Sequence, residues 1–137
     1  MKRFNIRVYG LWIESGEVLL GTETVQGNEI LKFPGGGLEF GEGTIDCLKR
    51  EWIEELNCPI EVLSHFYTTD FFQPSAFDDS QVISIYYEVR PTVSPQLPVF
   101  NGREHFFKRT INEDLMKDVS LPIDKVVTKL LLNRIAK

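Results

Sequence analysis

The chain has 137 residues, of which 42% are hydrophobic and 26% charged, enough apolar material for one packed core and an ordinary balance for a soluble globular protein. A net charge of −5 argues against a general binder of nucleic acid or anionic membrane, since both need a basic face, and it means that an anionic ligand would need cations close at hand. Cys47 lies inside a continuous helical pattern and Cys58 just beyond it, too far apart to join, and no run approaches the roughly 18 apolar residues of a membrane span. A reduced, cytoplasmic protein is the expectation, Asn5 and Arg7 interrupting any apolar signal core after Met1-Lys2-Arg3.

In chain order, Phe4 to Ile13 and Glu17 to Thr24 are rich in β-formers and are separated by Glu14-Ser15-Gly16, a hairpin signal. Ile30 to Phe33 is a short strand that delivers the chain into a glycine-rich loop, Pro34 to Gly43. A helix is expected from Thr44, its N-cap, to Leu56, ended by Asn57 in a left-handed conformation and by Pro59. Ile60 to Thr69 and Gln81 to Arg90 follow as strands, joined by a loop from Phe71 to Ser80. Pro91 to Gly102 is a second loop and Glu104 to Ile111 a last strand. Asn112 caps a short helix, and Ser120-Leu121-Pro122 opens a C-terminal one whose Ile123, Val126, Val127, Leu130, Leu131 and Ile135 lie mainly on one face. Strands on either side of a central helix, closed by a second helix, imply a mixed sheet with helices on both faces.

The stretch from Gly35 to Cys58 carries the chemistry. At roughly 100° per residue, Ile45, Leu48, Trp52 and Leu56 form one apolar stripe, and Glu51, Glu54 and Glu55 gather on another flank. Like charges at that spacing repel by on the order of 0.2–0.5 kcal/mol per pair, and Arg50 alone cannot offset three acids that also face Glu39 and Glu42. A hard divalent cation such as Mg2+ or Mn2+ takes oxygen ligands and would offset them. The preceding glycines permit close backbone approach to a phosphate or a metal.

The order Gly36, five residues, Glu42, seven residues, Arg50-Glu51, two residues, Glu54-Glu55 resembles the Nudix box of the Nudix hydrolases, the MutT-like enzymes that act on nucleoside diphosphates linked to another moiety. Phe33-Pro34-Gly35 resembles the usual lead into that box. Trp52 stands where an aliphatic residue is usual and Asn57 where glycine is usual, and neither departure touches a ligand position. The resemblance implies an α/β/α sandwich with a mixed sheet over residues 1–137 as a single Nudix domain. It further implies hydrolysis of a pyrophosphate linkage in a nucleoside triphosphate, nucleotide sugar or ADP-ribose type of substrate, with Mg2+ or Mn2+ as cofactor.

Position by position, the same resemblance makes Glu51, Glu54 and Glu55 metal ligands, with Glu51 or Glu54 doubling as base. Gly35 would offer a backbone carbonyl to the metal, Gly36 and Gly37 belong to the phosphate loop, Arg50 orients a helix acid and Glu42 supports it. Relatives often recruit a further acid from a later loop; Glu104 is the first candidate here, followed by Glu88 and Asp79. Substrate choice is expected from the loops and N-terminal strands, with Tyr9, Trp12, Phe71, Phe72 and Phe77 as candidates to stack on a base. The expected partner is a small nucleotide diphosphate derivative, with no nucleic acid or membrane, and a homodimer is a possible assembly. The alternative function is a non-catalytic Nudix domain that senses a nucleotide or nucleotide sugar.

Overall fold

The computed structural model describes residues 2–136. Its strands are β1 (Phe4–Leu11), β2 (Ile13–Glu14), β3 (Glu17–Val25), β4 (Asn28–Lys32), β5 (Gly35–Gly37), β6 (Ile60–Thr68), β7 (Gln81–Pro91), β8 (Val99–Phe100) and β9 (His105–Thr110). The helices are α1 (Thr44–Leu56), α2 (Glu113–Asp118) and α3 (Pro122–Ile135).

The strands divide into two sheets rather than the one expected. The first runs β5-β1-β7-β6 and is mixed, because β1 is parallel to β7 but antiparallel to β5. The second is antiparallel, with β3 between β9 on one edge and β2 and β4 along the other, and β8 beyond β9. β1 and β3 explain how helices cover both faces. In β1, Val8 faces the α1 side and Tyr9 and Leu11 the opposite side; in β3, Leu19 faces α1 and Val18 and Leu20 face away. One apolar cluster joins Leu48, Trp52 and Leu56 of α1 to Val8, Leu19 and Phe106, and the other joins Tyr9, Leu20, Phe33 and Tyr86 to Ile123, Val127 and Leu131 of α3. The layers are those of an α/β/α sandwich, and among the described residues no helix is long and apolar enough to cross a membrane.

Several local expectations are corrected. Gly43, not Thr44, occupies the N-cap of α1 without a side-chain cap bond, and the Thr44 hydroxyl lies 2.7 Å from the Tyr87 hydroxyl instead. Gly35 to Gly37, assigned to a loop, pair with Tyr9, Val8 and Arg7 as an edge strand. Ile45 leaves the apolar stripe for solvent and Cys47 is buried in its place. In α3, Leu130 and Ile135 are exposed while Asp124 and Thr128 are buried, so the inward face is rotated from the purely apolar one. Val99–Phe100 is a short strand inside the expected Pro-rich loop. Asn57 does end α1 in the left-handed region, with φ of 50°, and Asn112 caps α2 by accepting from the Leu115 N–H at 2.9 Å.

Trp52 ties α1 to the sheet. It is fully buried, donates its indole N–H to the Pro34 carbonyl at 3.3 Å, and covers Gly10, where a Cβ would lie 2.8 Å from Nε1. Trp52→Ala is expected to cost about 3–5 kcal/mol, read as a lower urea midpoint with an unchanged denaturant slope. A loss under 1 kcal/mol would show that α1 is held by other contacts.

Candidate active site

The approach of α1 to β5 sets the geometry. A Cβ on Gly36 would lie 2.5 Å from both carboxylate oxygens of Glu51, and Gly35, at φ of 156°, has no room for a side chain beside Val8 and Tyr9. Only glycine lets the strand lie on β1 and the acid lie on the strand. Glu51 therefore reaches its place because its neighbour in space has no side chain.

Arg50 organises the acids around that contact. Its Nε and Nη2 donate to the two oxygens of Glu42 at 3.0 and 2.7 Å, Nη1 donates to Glu51 at 3.0 Å and Glu54 at 3.2 Å, and Nη2 also reaches the Gly37 carbonyl at 3.1 Å. The bidentate fork orients the guanidinium rigidly. Together with the Glu39 N–H, the Arg50 guanidinium holds the Glu42 carboxyl down to about 2. Glu54 is the most exposed of the three helix acids and keeps a single contact to Arg50.

Glu55 belongs to a second group. Asn101 Nδ2 donates to its carbonyl and carboxylate, both at 3.1 Å, and Asn101 Oδ1 accepts from the N–H groups of Arg103 and Glu104. The resulting turn sets Arg103 3.2 Å from Glu55 and 3.3 Å from Glu104. Glu104 is buried within hydrogen-bonding reach of Glu55; burial first, then that neighbouring carboxylate, pushes its carboxyl upward. Arg103 Nε also lies 3.7 Å from Glu23 of β3, which links these acids to a cavity.

The cavity, about 230 Å³, lies on the face of the mixed sheet away from α1. Arg7, Tyr9, Ser84 and Tyr86 form its floor, Glu23, Ile30 and Lys32 one wall, Gln73 to Phe77 another, and Leu121 to Ile123 its end. Lys32 pairs with Glu23, and the Tyr9 hydroxyl accepts from Arg7 Nε at 2.8 Å. Beneath Tyr86, Asp124 is wholly buried, accepts the Tyr86 hydroxyl through Oδ1, and has no partner at Oδ2.

Of the sequence-based candidates, Glu42, Glu51 and Glu54 converge on Arg50, Glu104 joins Glu55, and Gly35, Gly36 and Gly37 line up along β5. Tyr9 faces the cavity but is buried against Tyr86, their ring centres 5.3 Å apart and their planes tilted by 31°. Trp12 is corrected. It is buried in the α1-side cluster under Lys108, 4.1 Å from its ring, on the wrong face of the sheet to stack on anything in the cavity. Phe71 is half exposed and outside the cavity wall, where Phe77 stands instead. Glu88 is taken by Arg134, and Asp79 is exposed in the 69–80 loop.

The donor set is all oxygen, and Glu23, Glu42, Glu51, Glu54, Glu55 and Glu104 outnumber Arg50, Arg103 and Lys32 in and around it, which fits a hard divalent cation. Among the described residues no three acids close on a single point, the two arginines standing on them.

The NUDIX domain profile matches residues 1–128, almost the whole chain. The chain belongs to the NUDIX domain family. No curated protein sequence matches it. Among solved structures, the fold is similar to the E. coli ORF135 protein, with a TM-score of 0.79 and 18% identity over 99% of this chain and 94% of that one. It is also similar to a NUDIX hydrolase from Nitrosomonas europaea (TM-score 0.77, 17% identity, 93% and 87% covered) and to a MutT NUDIX hydrolase from Burkholderia pseudomallei (0.71, 15%, 93% and 97%).

Three cavity residues of this NUDIX chain, Arg7, Glu23 and Lys32, and Asp124 buried beneath Tyr86 escaped the sequence reading. Asp124 left a signal, an acid three, four and seven residues before Val127, Thr128 and Leu131 and hence on their face. Burial pushes its carboxyl up to about 7, against the Tyr86 hydrogen bond and the charges of Lys32 and Arg7. The folded form thus binds this proton more tightly than the unfolded chain, so the stability it supplies is full below pH 3.8 and is lost as pH rises toward 7. Urea unfolding between pH 4 and 7 is expected to show a decline in the wild type that Asp124→Asn flattens; equal slopes would contradict it.

Proposed function

We propose that the protein is a metal-dependent pyrophosphohydrolase that splits a nucleoside diphosphate linked to another moiety, releasing a nucleotide and a phosphorylated product. The observation that carries this reading is the Glu51 carboxylate seated on Gly36, with Arg50 forked across Glu42, Glu51 and Glu54, and the cavity floored by Arg7 and Tyr9 of the adjoining strand β1 on the opposite face of the sheet. Family membership and the MutT NUDIX hydrolase among the structural neighbours support it.

Glu51, Glu54 and Glu55 would hold Mg2+ or Mn2+. When bound, the cation supplies charge neutralisation at the phosphates and a water of lowered pKa. The chain supplies the rest. Arg50 fixes the rotamer of Glu51 and is itself locked by Glu42, so the acid needs little reorganisation. Glu51 or Glu54 accepts the proton of the attacking water as the phosphorus–oxygen bridge breaks. Glu104, buried against Glu55, is a further acid able to hold a proton at its carboxylate. The nucleoside lies in the cavity and its phosphates cross β5, where three glycines put no side chain in the way.

The test is hydrolysis, with Mg2+ or Mn2+, of a panel of nucleoside triphosphates, nucleotide sugars, ADP-ribose and dinucleoside polyphosphates. Turnover of at least one is expected, falling about 10²–10⁴-fold in Glu54→Gln with an unchanged melting temperature, since Glu54 is exposed. Tight binding without turnover across the panel would favour the sensing domain instead, and a fully active Glu54→Gln would remove Glu54 from the chemistry.

A further inference from the structure

The arginines differ in one respect. Arg3, Arg50, Arg90, Arg103, Arg109 and Arg134 each hold a carboxylate oxygen within 4 Å, at 3.7 Å or less; Arg7, on the cavity floor, holds none among the described residues. Among the described residues its one side-chain hydrogen bond is from Nε to the Tyr9 hydroxyl, with no acceptor at Nη1 or Nη2. A half-buried guanidinium with two free terminal nitrogens has lost water there that no protein acceptor replaces. Its contacts to the fold are both to Tyr9, whose hydroxyl accepts from Nε and whose ring centre lies 5.8 Å from the guanidinium carbon, and neither occupies Nη1 or Nη2.

Its position says what the cation is for. Arg7 pairs with Gly37 on one side and Ser84 on the other, and a Cβ on Gly37 would lie 3.6 Å from Nη1. The guanidinium therefore stands beside the glycine strand, on the cavity face, opposite the face that carries Glu51. The Tyr9 oxygen acts most strongly to hold its pKa above the ordinary value, against burial, and Glu51 and Glu23 add attraction across space. A fork with both terminal nitrogens free matches two oxygens of one phosphate.

Resting on the proposed hydrolase reading and deepening it, we infer that Arg7 is the anchor for the phosphate attached directly to the cavity-bound nucleoside, and so makes a nucleoside 5′-phosphate, rather than a nucleoside, the unit the cavity recognises. The anchored phosphate lies at the β5 edge, and the next phosphate passes over the glycines toward Glu51. Arg7 thereby sets which bridging bond meets the helix acids. It is a positioning residue and takes no proton.

Binding without a divalent cation separates this inference from the hydrolase reading. Affinities of the 5′-monophosphates of adenosine, guanosine, cytidine and uridine, each against its own nucleoside, are measured by calorimetry for the wild type, Arg7→Met and Arg7→Lys. The wild type is expected to prefer at least one monophosphate over its nucleoside by about tenfold or more. Arg7→Met loses that preference and leaves nucleoside affinity unchanged; Arg7→Lys keeps part of the preference. A merely structural arginine would move both affinities together. A preference that persists in Arg7→Met overturns the role of Arg7 alone. A wild type that binds none of the eight compounds overturns the inference, and only the additional absence of turnover across the substrate panel overturns the hydrolase reading.

Discussion

A carboxylate resting on a bare α-carbon is the constraint on which the rest of the molecule depends. Glu51 can lie against β5 only because residue 36 has no Cβ, and β5 can lie against β1 only because residue 35 has none either. The contact needs α1 pressed onto the sheet, which Trp52 secures through the space left by Gly10 and the bond to Pro34. It also needs the acid held in one rotamer, which Arg50 secures and Glu42 in turn secures for Arg50. Each support is a local packing or hydrogen-bonding event, and together they bring acids from one helix to a strand edge that carries no side chains.

Electrostatics divides that edge into two faces. On the α1 face carboxylates are in excess and arginines are drawn onto them, Arg50 from the helix and Arg103 from the turn before β9. On the cavity face the balance inverts at Arg7, a cation with no carboxylate partner among the described residues. On the proposed reading, an anionic substrate bridges the two: its phosphate offsets Arg7, and a divalent cation offsets the acids. Charges without an opposite partner in the free protein are where a ligand contributes most.

The central helix was legible because its signals were local and mutually consistent: an apolar stripe at 3.6-residue spacing, an αL-tolerant Asn57, and acids confined to one flank. Arg50's contact with Glu54 followed from one helical turn of separation. Its stronger fork onto Glu42 did not, because that contact depends on how the glycine strand returns past the helix. Gly35 to Gly37 read as a loop since glycine lowers strand propensity, yet tertiary pairing with β1 overrode propensity. Trp12 was misplaced for a related reason: composition marks an aromatic residue, whereas only strand register says which face it takes. Arg7 carries no sequence signal beyond its alternation with Val8, for its meaning lies in having no carboxylate partner among the described residues.

The most direct test of this account is Mn2+ binding to Gly36→Ala, followed by electron paramagnetic resonance beside the wild type. The added methyl group would displace Glu51 and little else, because Gly36 has ordinary strand torsions. The account predicts Mn2+ binding by the wild type, weakened about tenfold or more in Gly36→Ala, with the circular-dichroism spectrum preserved. Equal Mn2+ affinity in the two proteins would contradict it.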